Sequence, residues 1–192
     1  MWHFLTDLDH RLLLAINHAD WPWLDAAMTF ASDRRVWIPF YALLLGWLVW
    51  HYRHRAWAAV PLLLAAVGLA DRVTSGLFKG WVRRPRPCHA PDLAALLHLP
   101  DGCGGAYGFM SSHAANSVAL ATFLWLALPA GRHRGLKLGV TLWAAVLCYS
   151  RVYLGAHYPS DVVAGALVGA ALATGAAWAL RGWDDRRALR SG

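Results

Sequence analysis

Hydrophobic residues run in five long stretches along this chain, separated by short polar segments. The stretches are Val36–Tyr52, Ala56–Phe78, Ser112–Ala130, Leu136–Leu154 and Asp161–Leu180. Each is near the ~20 residues that an α-helix needs to cross a bilayer. Pro61 lies near the start of the second stretch, where it need not break the helix. The pattern predicts an all-α, polytopic membrane helix bundle with about five transmembrane helices.

Residues 1–35 follow a different hydrophobic pattern. Apolar side chains recur there at helical spacing, at Leu5, Leu8, Leu12 and Ile16. Charged side chains lie off that stripe, which is typical of an amphipathic helix lying at the membrane interface. The segment lacks the basic start and continuous apolar core of a signal peptide, so we expect it to be retained. A sixth span within these residues is the alternative.

The composition supports the membrane prediction. Of the 192 residues, 58% are hydrophobic and 15% are charged, against about 25% charged in an average soluble domain. The sequence also has 12 tryptophans, a residue that gathers at membrane interfaces. We therefore expect residues 1–192 to form a single membrane-embedded domain.

Charge and acidic content narrow the classes of partner and cofactor. The net charge is +7, but no basic run interleaves with aromatic residues on a polar surface, so we expect no nucleic-acid partner. The sequence has no glutamate and its aspartates are scattered, which argues against a two-metal centre held by carboxylates. We predict a protein without a metal or another cofactor.

Basic residues follow the first, third and fifth stretches, at Arg53, Arg55, Arg132, Arg134, Lys137, Arg181, Arg186, Arg187 and Arg190. Connections rich in Lys and Arg stay in the cytoplasm. In a cell membrane this rule places residues 79–110 and the turn at 154–161 on the periplasmic or extracellular side. Four basic residues nevertheless lie in that outer connection, at Lys79, Arg83, Arg84 and Arg86. They need another reason to be there.

Three polar stretches meet the predicted spans at that outer side. They are KGWVRRPRP at Lys79–Pro87, FMSSHAANS at Phe109–Ser117 and SRVYLGAHYPSD at Ser150–Asp161. Lys79, Arg86 and Arg151 supply positive charge, and guanidinium groups match the geometry of phosphate oxygens. Ser111 and Ser112 lie where a helix begins, and a helix start is a ready anion site. The set predicts a phosphate-binding site.

Two histidines and an aspartate add reactive groups to this site. His157 and Asp161 are four residues apart, so on a helix they share one face. A carboxylate bonded to one imidazole nitrogen fixes the tautomer and leaves the other nitrogen free to attack, while His113 protonates the departing oxygen. Plainer interpretations stand beside these: a structural His–Asp pair, an ordinary helix-start histidine, and Arg151 as a side chain that reaches for the interface.

These residues resemble the signature of the type 2 phosphatidic acid phosphatases, a family that shares its fold with vanadium haloperoxidases. The family carries K-x6-R-P, then P-S-G-H, then S-R-x5-H-x3-D. The first part matches at Lys79, Arg86 and Pro87, and the third matches in full at Ser150, Arg151, His157 and Asp161.

The second part of the signature departs from the family pattern at two positions. Met110 replaces the Pro and Ser112 replaces the Gly, whereas Ser111 and His113 align. The change at Ser112 bears on how closely the backbone approaches a phosphate, and it leaves the histidine in place. The resemblance covers a motif-bearing core at residues 79–169 and does not extend to the N-terminal third.

The resemblance implies metal-independent hydrolysis of a lipid phosphate through a phosphohistidine. On this interpretation His157 is the nucleophile, Asp161 orients it, and His113 is the general acid. The phosphate is then held by Lys79, Arg86, Ser111, Ser112 and Arg151. The implied partners are the lipid phosphate substrate and the surrounding membrane lipids.

The motifs indicate a phosphate and leave its lipid open among a polyprenyl diphosphate, phosphatidylglycerophosphate, phosphatidic acid and a lipid A phosphate. We favour a polyprenyl diphosphate or a similar envelope lipid, because the small chain leaves little room for a domain that binds a soluble substrate. Two other function classes stay open: a membrane transporter and a non-catalytic lipid-binding protein. A transporter would place polar residues near mid-membrane, whereas here they cluster at one end of the spans.

The outer connection also contains two of the three cysteines. Cys88 and Cys103 lie in this one loop, and Cys148 lies inside an apolar stretch. An oxidising exterior permits a Cys88–Cys103 disulfide, which would contribute roughly 3 kcal/mol by restricting the unfolded chain. A zinc site made of Cys88, His89, His98 and Cys103 is the rival, although paired C-x-x-C spacing is absent.

The remaining polar residues near the outer face have simpler expected roles. We expect Arg83 and Arg84 to contact lipid headgroups. Asp71 is expected to pair with its neighbour Arg72. Asn116 is expected to bond a neighbouring helix.

Overall fold

The computed structural model describes residues 2–19 and 21–191, and the side chains within 6–19 and 21–189. Leu5 of the predicted stripe and Arg190 of the last basic segment lie outside the described side chains. Within the described part the regular structure is helical, and the β-type pairing consists of an isolated bridge between Pro85 and Tyr107. The all-α prediction is confirmed.

Eight α-helices make up the described fold. They are α1 (Trp2–Asn17), α2 (Pro22–Ser32), α3 (Ile38–Tyr52), α4 (Ala56–Asp71), α5 (Lys79–Val82), α6 (Ser112–Ala127), α7 (Arg134–Tyr153) and α8 (Pro159–Ser191). A π-helical segment, Arg72–Phe78, joins α4 to α5 without a break. Short 3-10 turns lie at Arg53–Arg55, Pro87–His89 and Ala94–Leu96.

The five predicted stretches coincide with α3, α4 and its π-helical extension, α6, α7 and α8. By length and composition, two helical stretches are long and apolar enough to cross a membrane, Ile38–Val82 and Pro159–Leu189. The first stretch is not one straight helix. It contains α3 and α4, and the chain reverses direction between them at Arg53, a residue with a φ of 41°. Large apolar side chains such as Trp57 and Leu142 are exposed on the outside of the bundle, where lipid is the solvent that favours them.

Helix α6 lies at the centre of the bundle, with buried residues on every side of it. It packs tightly against α8 because α8 has Gly165 and Gly169 at the contact. A β-carbon at either glycine would overlap a backbone carbonyl oxygen of the α6 region, that of Ser111 or Ala115 respectively. Small residues four apart therefore let the two helices approach backbone to backbone.

Two basic side chains, the partly exposed Arg55 and the buried Lys137, bind the helix ends that lie away from the motif stretches. Arg55 forms a two-pronged salt bridge with Asp184 and donates a 2.8 Å hydrogen bond to the Ala127 carbonyl. The Lys137 side chain is 2% exposed and donates to the carbonyls of Trp125, Leu128 and Pro129, where α6 ends. The sequence analysis used both residues only to predict membrane orientation. In the structure both also bind carbonyl groups at the end of α6.

The N-terminal helices belong to the bundle. At 16 and 11 residues, α1 and α2 are each shorter than the ~20 residues of a span, so neither forms a sixth span alone. On the predicted stripe of α1, Leu8 and Leu12 are 41% and 43% exposed. The adjacent face of the helix buries Asp9, Leu13 and Asn17. That face was not predicted to pack, because two of its three residues are polar.

Candidate active site

The three predicted polar stretches come together at one end of the bundle. The backbone amide of Ser111, just before α6, donates to the Asp161 carbonyl at 3.0 Å. Arg86 of the first stretch donates through Nη1 to the Ala156 carbonyl at 3.1 Å. These bonds join the first and second stretches to the third, so the residues singled out from the sequence share one site.

His157 lies in the connection between α7 and α8, two residues before α8 begins at Pro159. The prediction that His157 and Asp161 share a helix face was therefore wrong. The physical reason is Pro159, whose fixed φ and missing N–H favour the first position of a helix. The connection itself turns at Gly155, with a φ of 63°, and folds back so that the His157 amide donates to the Arg151 carbonyl at 3.1 Å.

The imidazole of His157 and the carboxylate of Asp161 nevertheless lie side by side. Their Nδ1 and Oδ2 atoms are 3.6 Å apart, and the side chains are 1% and 0% exposed. This separation is longer than a hydrogen bond, and Nδ1 of His157 has no other hydrogen-bond partner in the described part of the chain. Oδ2 of Asp161 accepts instead from the Tyr158 amide at 3.2 Å, which caps the first turn of α8.

The second imidazole nitrogen of His157 points toward positive charge. Its Nε2 lies 3.5 Å from Nη1 of Arg86. Burial, followed by the charges of Arg151 and Arg86, holds the pKa of His157 well below its usual range. The imidazole is therefore neutral, and a neutral imidazole has a lone pair for nucleophilic attack.

The cations predicted to bind phosphate surround this nitrogen. Arg151 is buried and donates to Ser32 Oγ through Nη1. Its Nε, like that of Arg86, is buried without a hydrogen-bond partner among the described residues. Lys79 is half-buried, near enough for the charges of Arg86 and Arg151 to act on it. Unpartnered guanidinium N–H groups of this kind are suited to an oxyanion.

The second stretch positions His113 in the first turn of α6. Ser111 is the N-cap of this helix, and its Oγ accepts weakly from the Ala114 amide at 3.5 Å. Ser111 and Ser112 are both buried. Because the helix starts here, its first amides have no intrahelical acceptor and are available to an anion.

Arg34 is a site residue that the sequence analysis missed. It lies between α2 and α3, and its Nε donates to Nε2 of His113 at 3.2 Å. Its charge also acts on Lys79 and Arg151. Arg34 lies outside the motifs, but a signal was available, because it precedes the first span on the side that is expected to be poor in basic residues.

Arg84 was assigned to lipid headgroups, and the structure contradicts that assignment. Its Nη1 is 2.8 Å from Oδ1 of Asp161, and its Nη2 is 2.8 Å from Oδ2 of Asp9. The guanidinium carbon lies 3.8 Å from the centre of the Tyr158 ring. Arg83 is exposed and donates to the Gly80 carbonyl. Two adjacent arginines in the sequence therefore have opposite surroundings, which their residue type alone does not predict.

The loop after α5 fixes these cations by pairing with its own return. The Arg86 amide donates to the Ala106 carbonyl at 3.0 Å, and the Gly108 amide donates to the Arg84 carbonyl at 2.9 Å. Gly108 is pressed against the site, since a β-carbon there would lie 3.1 Å from Oδ2 of Asp161. Glycine at this position lets the backbone approach the carboxylate.

A disulfide between Cys88 and Cys103 closes the same loop, with their Cα atoms 5.9 Å apart. Nε2 of His89 lies 3.3 Å from Sγ of Cys103. His98, however, points away and lies 3.0 Å from both carboxylate oxygens of Asp25. The four-ligand zinc set is therefore not assembled, because the sulfurs bind each other and the fourth side chain has another partner.

Two further sequence expectations are decided at the inner edge of the site. Nδ2 of Asn116 donates to Oδ1 of Asp71 at 3.2 Å, so the expected bond to a neighbouring helix is confirmed. Asp71 forms no salt bridge with Arg72 among the described residues. The partner of Asp71 is therefore Asn116 of α6 and not the adjacent Arg72.

An apolar cavity of about 340 Å³ opens beside His113 and Arg34. Its polar end also includes Ser32 and Asn116. The rest of its wall is mostly apolar and comes from α3, α4, α6 and α7, with Leu44, Leu45, Leu63, Leu64, Val67, Leu120 and Leu147 among its residues. A volume of this size is within the range of ligand pockets, and its walls suit a hydrocarbon chain.

The chain is similar in sequence and in fold to known proteins. Residues 57–185 match the family model of the PAP2 superfamily. The chain is 37% identical over 172 residues to lipid A 4'-phosphatase of Bacteroides thetaiotaomicron, across 88% of this chain and 75% of that protein. It is 35% identical over 127 residues to decaprenylphosphoryl-5-phosphoribose phosphatase of Mycobacterium tuberculosis, across 66% and 63% of the two chains. The crystal structure of Aquifex aeolicus LpxE is similar in fold, with a TM-score of 0.68, 29% identity and coverage of 86% and 92%.

Proposed function

The chain belongs to the PAP2 superfamily, and from this premise we propose that it is a membrane lipid phosphatase that uses His157 as its nucleophile. Membership agrees with the three-part signature and with a polytopic membrane helix bundle. The observation that carries the proposal is the position of His157, whose neutral imidazole presents Nε2 to the Arg86 guanidinium at 3.5 Å. A nucleophile beside cations that still have free N–H groups is what phosphoryl transfer requires.

In the first step the phosphate lies among Lys79, Arg86 and Arg151, whose charges stabilise the negative charge on the transferring oxygens. Nε2 of His157 attacks phosphorus in line, a P–N bond forms, and the P–O bond to the lipid breaks. His113 donates a proton to the departing oxygen, so the lipid leaves as a neutral alcohol when the substrate is a monoester. The Asp161 carboxylate stabilises the positive charge that develops on the His157 ring.

In the second step water replaces the lipid alcohol. His113, now without its proton, accepts a proton from this water, and the water oxygen attacks phosphorus. The P–N bond breaks, inorganic phosphate leaves, and His157 returns to its neutral form. No step in this sequence requires a metal ion.

The apolar cavity beside His113 is the proposed place for the lipid chain of the substrate. It adjoins the cations at Arg34 and continues between α3, α4, α6 and α7. The relatives named above carry lipid A and decaprenylphosphoryl-5-phosphoribose in their names. We therefore expect the substrate to be an envelope lipid phosphate, with lipid A phosphates and polyprenyl-linked phosphates as the first candidates.

Phosphate release from a lipid panel in detergent, with EDTA present, tests this proposal. The panel contains lipid A, a polyprenyl diphosphate, phosphatidylglycerophosphate and phosphatidic acid. Wild type is expected to release phosphate from at least one of them, and His157→Ala to lose activity by about 10³-fold or more. His54→Ala is the matched control, because His54 lies in the turn at the opposite end of the bundle. Release that survives in His157→Ala would identify a different nucleophile, and no release by wild type on any lipid would overturn the phosphatase proposal.

A further inference from the structure

A chain of ion pairs extends from the Asp161 carboxylate to the N-terminal helix. Oδ1 of Asp161 accepts from Arg84 at 2.8 Å, and the other terminal nitrogen of Arg84 donates to Asp9 of α1 at 2.8 Å. Asp9 in turn accepts from the Ser160 amide at 2.9 Å and from the Ser160 hydroxyl. One guanidinium thus bridges two carboxylates, and one of them is the residue beside the His157 ring.

The bridge is shielded from water. Asp161 and Asp9 are buried, and the Arg84 side chain is 25% exposed. The Tyr158 ring covers one face of the Arg84 guanidinium, and the His10 ring stacks on Tyr158 with 5.6 Å between centroids. Ion pairs that are desolvated in this way have much stronger effects on their members than exposed pairs do.

We propose that Arg84 and Asp9 are positioning residues for Asp161: Arg84 keeps the carboxylate ionised, and Asp9 holds Arg84 in place, so that Asp161 stays aimed at the His157 imidazole. This inference rests on the proposed function, because it assumes that His157 is the nucleophile. Among the described side chains, Arg84 and Asp9 bond to Ser160, Asp161 and each other, and not to Lys79, Arg86 or Arg151. Arg84 therefore acts on the reaction through Asp161 and does not bind the phosphate.

The physical argument begins with the cost of a buried carboxylate. Burial favours the neutral form of a carboxyl group, and a contacting guanidinium reverses that preference. Without Arg84, Asp161 would take up a proton at higher pH than in wild type, and the neutral carboxyl group would no longer stabilise the positive charge that forms on His157 during attack. Asp9 acts through Arg84: it binds the other end of the guanidinium and so holds Nη1 against Oδ1 of Asp161, which leaves Oδ2 facing the imidazole.

The groups that face Asp161 make this assignment specific. Asp9 approaches from α1, Arg84 and Arg86 from the loop after α5, and His157 and Tyr158 from the connection before α8. Burial raises the pKa of Tyr158 to about 12, so its hydroxyl does not titrate in the working range. Among the described side chains, Arg84 is the arginine that forms a direct salt bridge with Asp161.

The first test compares Arg84→Gln with Arg83→Gln, its matched control. Arg83 is adjacent, carries the same charge and is exposed. We expect Arg84→Gln to lower kcat about 10- to 100-fold and to leave KM and the inhibition constant of inorganic phosphate within about threefold of wild type. The acidic limb of its kcat–pH profile should move to higher pH by about 1–2 units. Arg83→Gln should match wild type, and Arg84→Lys should recover part of kcat.

The second test asks whether Arg84 acts through Asp161. In an Asp161→Asn background, Arg84→Gln should cause no further loss of kcat, because the carboxylate on which it acts is gone. Asp9→Asn should also lower kcat, whereas Asp7→Asn should not, because Asp7 lies on α1 in an exposed pair with Arg11. Losses from Arg84→Gln and Asp161→Asn that multiply would overturn the inference, as would a wild-type pH profile in Arg84→Gln.

A readout that needs no turnover separates this inference from the phosphatase proposal. Nitrogen-15 NMR of the His157 imidazole, assigned by its absence in His157→Ala, reports which ring nitrogen has the proton. Wild type and Arg83→Gln should hold the proton on Nδ1, and Arg84→Gln should lose that preference near pH 6. An inactive wild type with this NMR pattern would overturn the phosphatase proposal alone. An unchanged tautomer in folded Arg84→Gln would overturn the inference alone.

Discussion

Arg34 shows how a single side chain changes the expected chemistry of the site. Its Nε donates to Nε2 of His113 at 3.2 Å, and His113 is the residue that we propose as the general acid. A phosphate that enters beside Lys79 and Arg151 offers Arg34 a charged acceptor in place of a neutral imidazole. Charge-assisted hydrogen bonds are about twice as strong as neutral ones. Arg34 should therefore move from the histidine to the substrate and leave His113 free to take up a proton.

This argument predicts that Arg34→Ala weakens substrate binding. We expect KM to rise about tenfold, because one hydrogen bond between a guanidinium and a phosphate is worth about 1.5 kcal/mol. Arg35→Ala is the matched control, since Arg35 is the adjacent arginine, is also exposed, and has no side-chain bond to the site among the described residues. Steady-state kinetics on a short-chain lipid phosphate measures both variants. Equal KM values for Arg34→Ala and Arg35→Ala would show that Arg34 does not bind the substrate.

For individual residues, the sequence predicted the site correctly where a motif specifies both the residue type and its spacing. The three motif stretches do meet, because Lys79, Arg86, His113, Arg151 and His157 all lie at one end of their spans. Arg84, Asp9 and Arg34 were not predicted as site residues. Their roles depend on tertiary contacts, such as the pairing of α1 with the α7–α8 connection, that no local pattern encodes. The prediction that His157 and Asp161 share a helix face was wrong for a local reason, because α8 begins at Pro159, after His157.

At the scale of elements, the site depends on how closely α8 approaches α6. Gly165 lies under the Ser111 carbonyl, and Gly169 lies under the Ala115 carbonyl. The Ser111 amide is also bonded to Asp161 at 3.0 Å. A wider helix separation would therefore pull the start of α6, with His113, away from the start of α8.

We accordingly predict that Gly165→Ala damages both stability and activity. A methyl group has no space against the Ser111 carbonyl, and overpacking of this kind costs about 1–3 kcal/mol. Gly175→Ala is the matched control on the same helix, because no atom lies within 4 Å of the added β-carbon. That variant should be neutral, or more stable by about 0.5–1 kcal/mol. Melting temperature in detergent and phosphate release measure the two effects, and equal behaviour of the two variants would contradict the close-packing argument.

The helices themselves were largely predictable, and their irregularities were not. Hydrophobic runs located α3, α4, α6, α7 and α8 to within a few residues at most ends. The π-helical segment Arg72–Phe78 has no such signal, although it lies directly before Lys79. Segments of this type occur often at functional sites. The far end of α8 was placed too early, at Leu180, because the last eleven residues of the helix, Arg181–Ser191, are mostly polar.

On the scale of the whole molecule, the two ends of the bundle differ in charge and chemistry. The site end contains the disulfide Cys88–Cys103 and the cations of the phosphate site. At the other end, Arg55 and Lys137 are bound within the fold, but several more basic residues remain in the connections there. Excess Lys and Arg are typical of a cytoplasmic end, and a disulfide requires an oxidising compartment. From both arguments we propose that the active site faces the periplasmic or extracellular side.

Thiol labelling in intact cells tests this orientation. Cys148→Ser removes the free thiol of α7, so in that background an intact disulfide should leave no site for a membrane-impermeant maleimide. Adding Cys103→Ser frees Cys88, which should then react in intact cells because it lies in the outer loop. In a chain with its three native cysteines replaced, Arg186→Cys should react after permeabilisation and not before, because Arg186 lies near the opposite end of α8. The reverse labelling pattern would show that the protein has the opposite orientation in the membrane. The phosphate site, the cavity and the bridge from Asp9 to Asp161 would then face the cytoplasm, and the substrate would have to be sought among lipids of the inner leaflet.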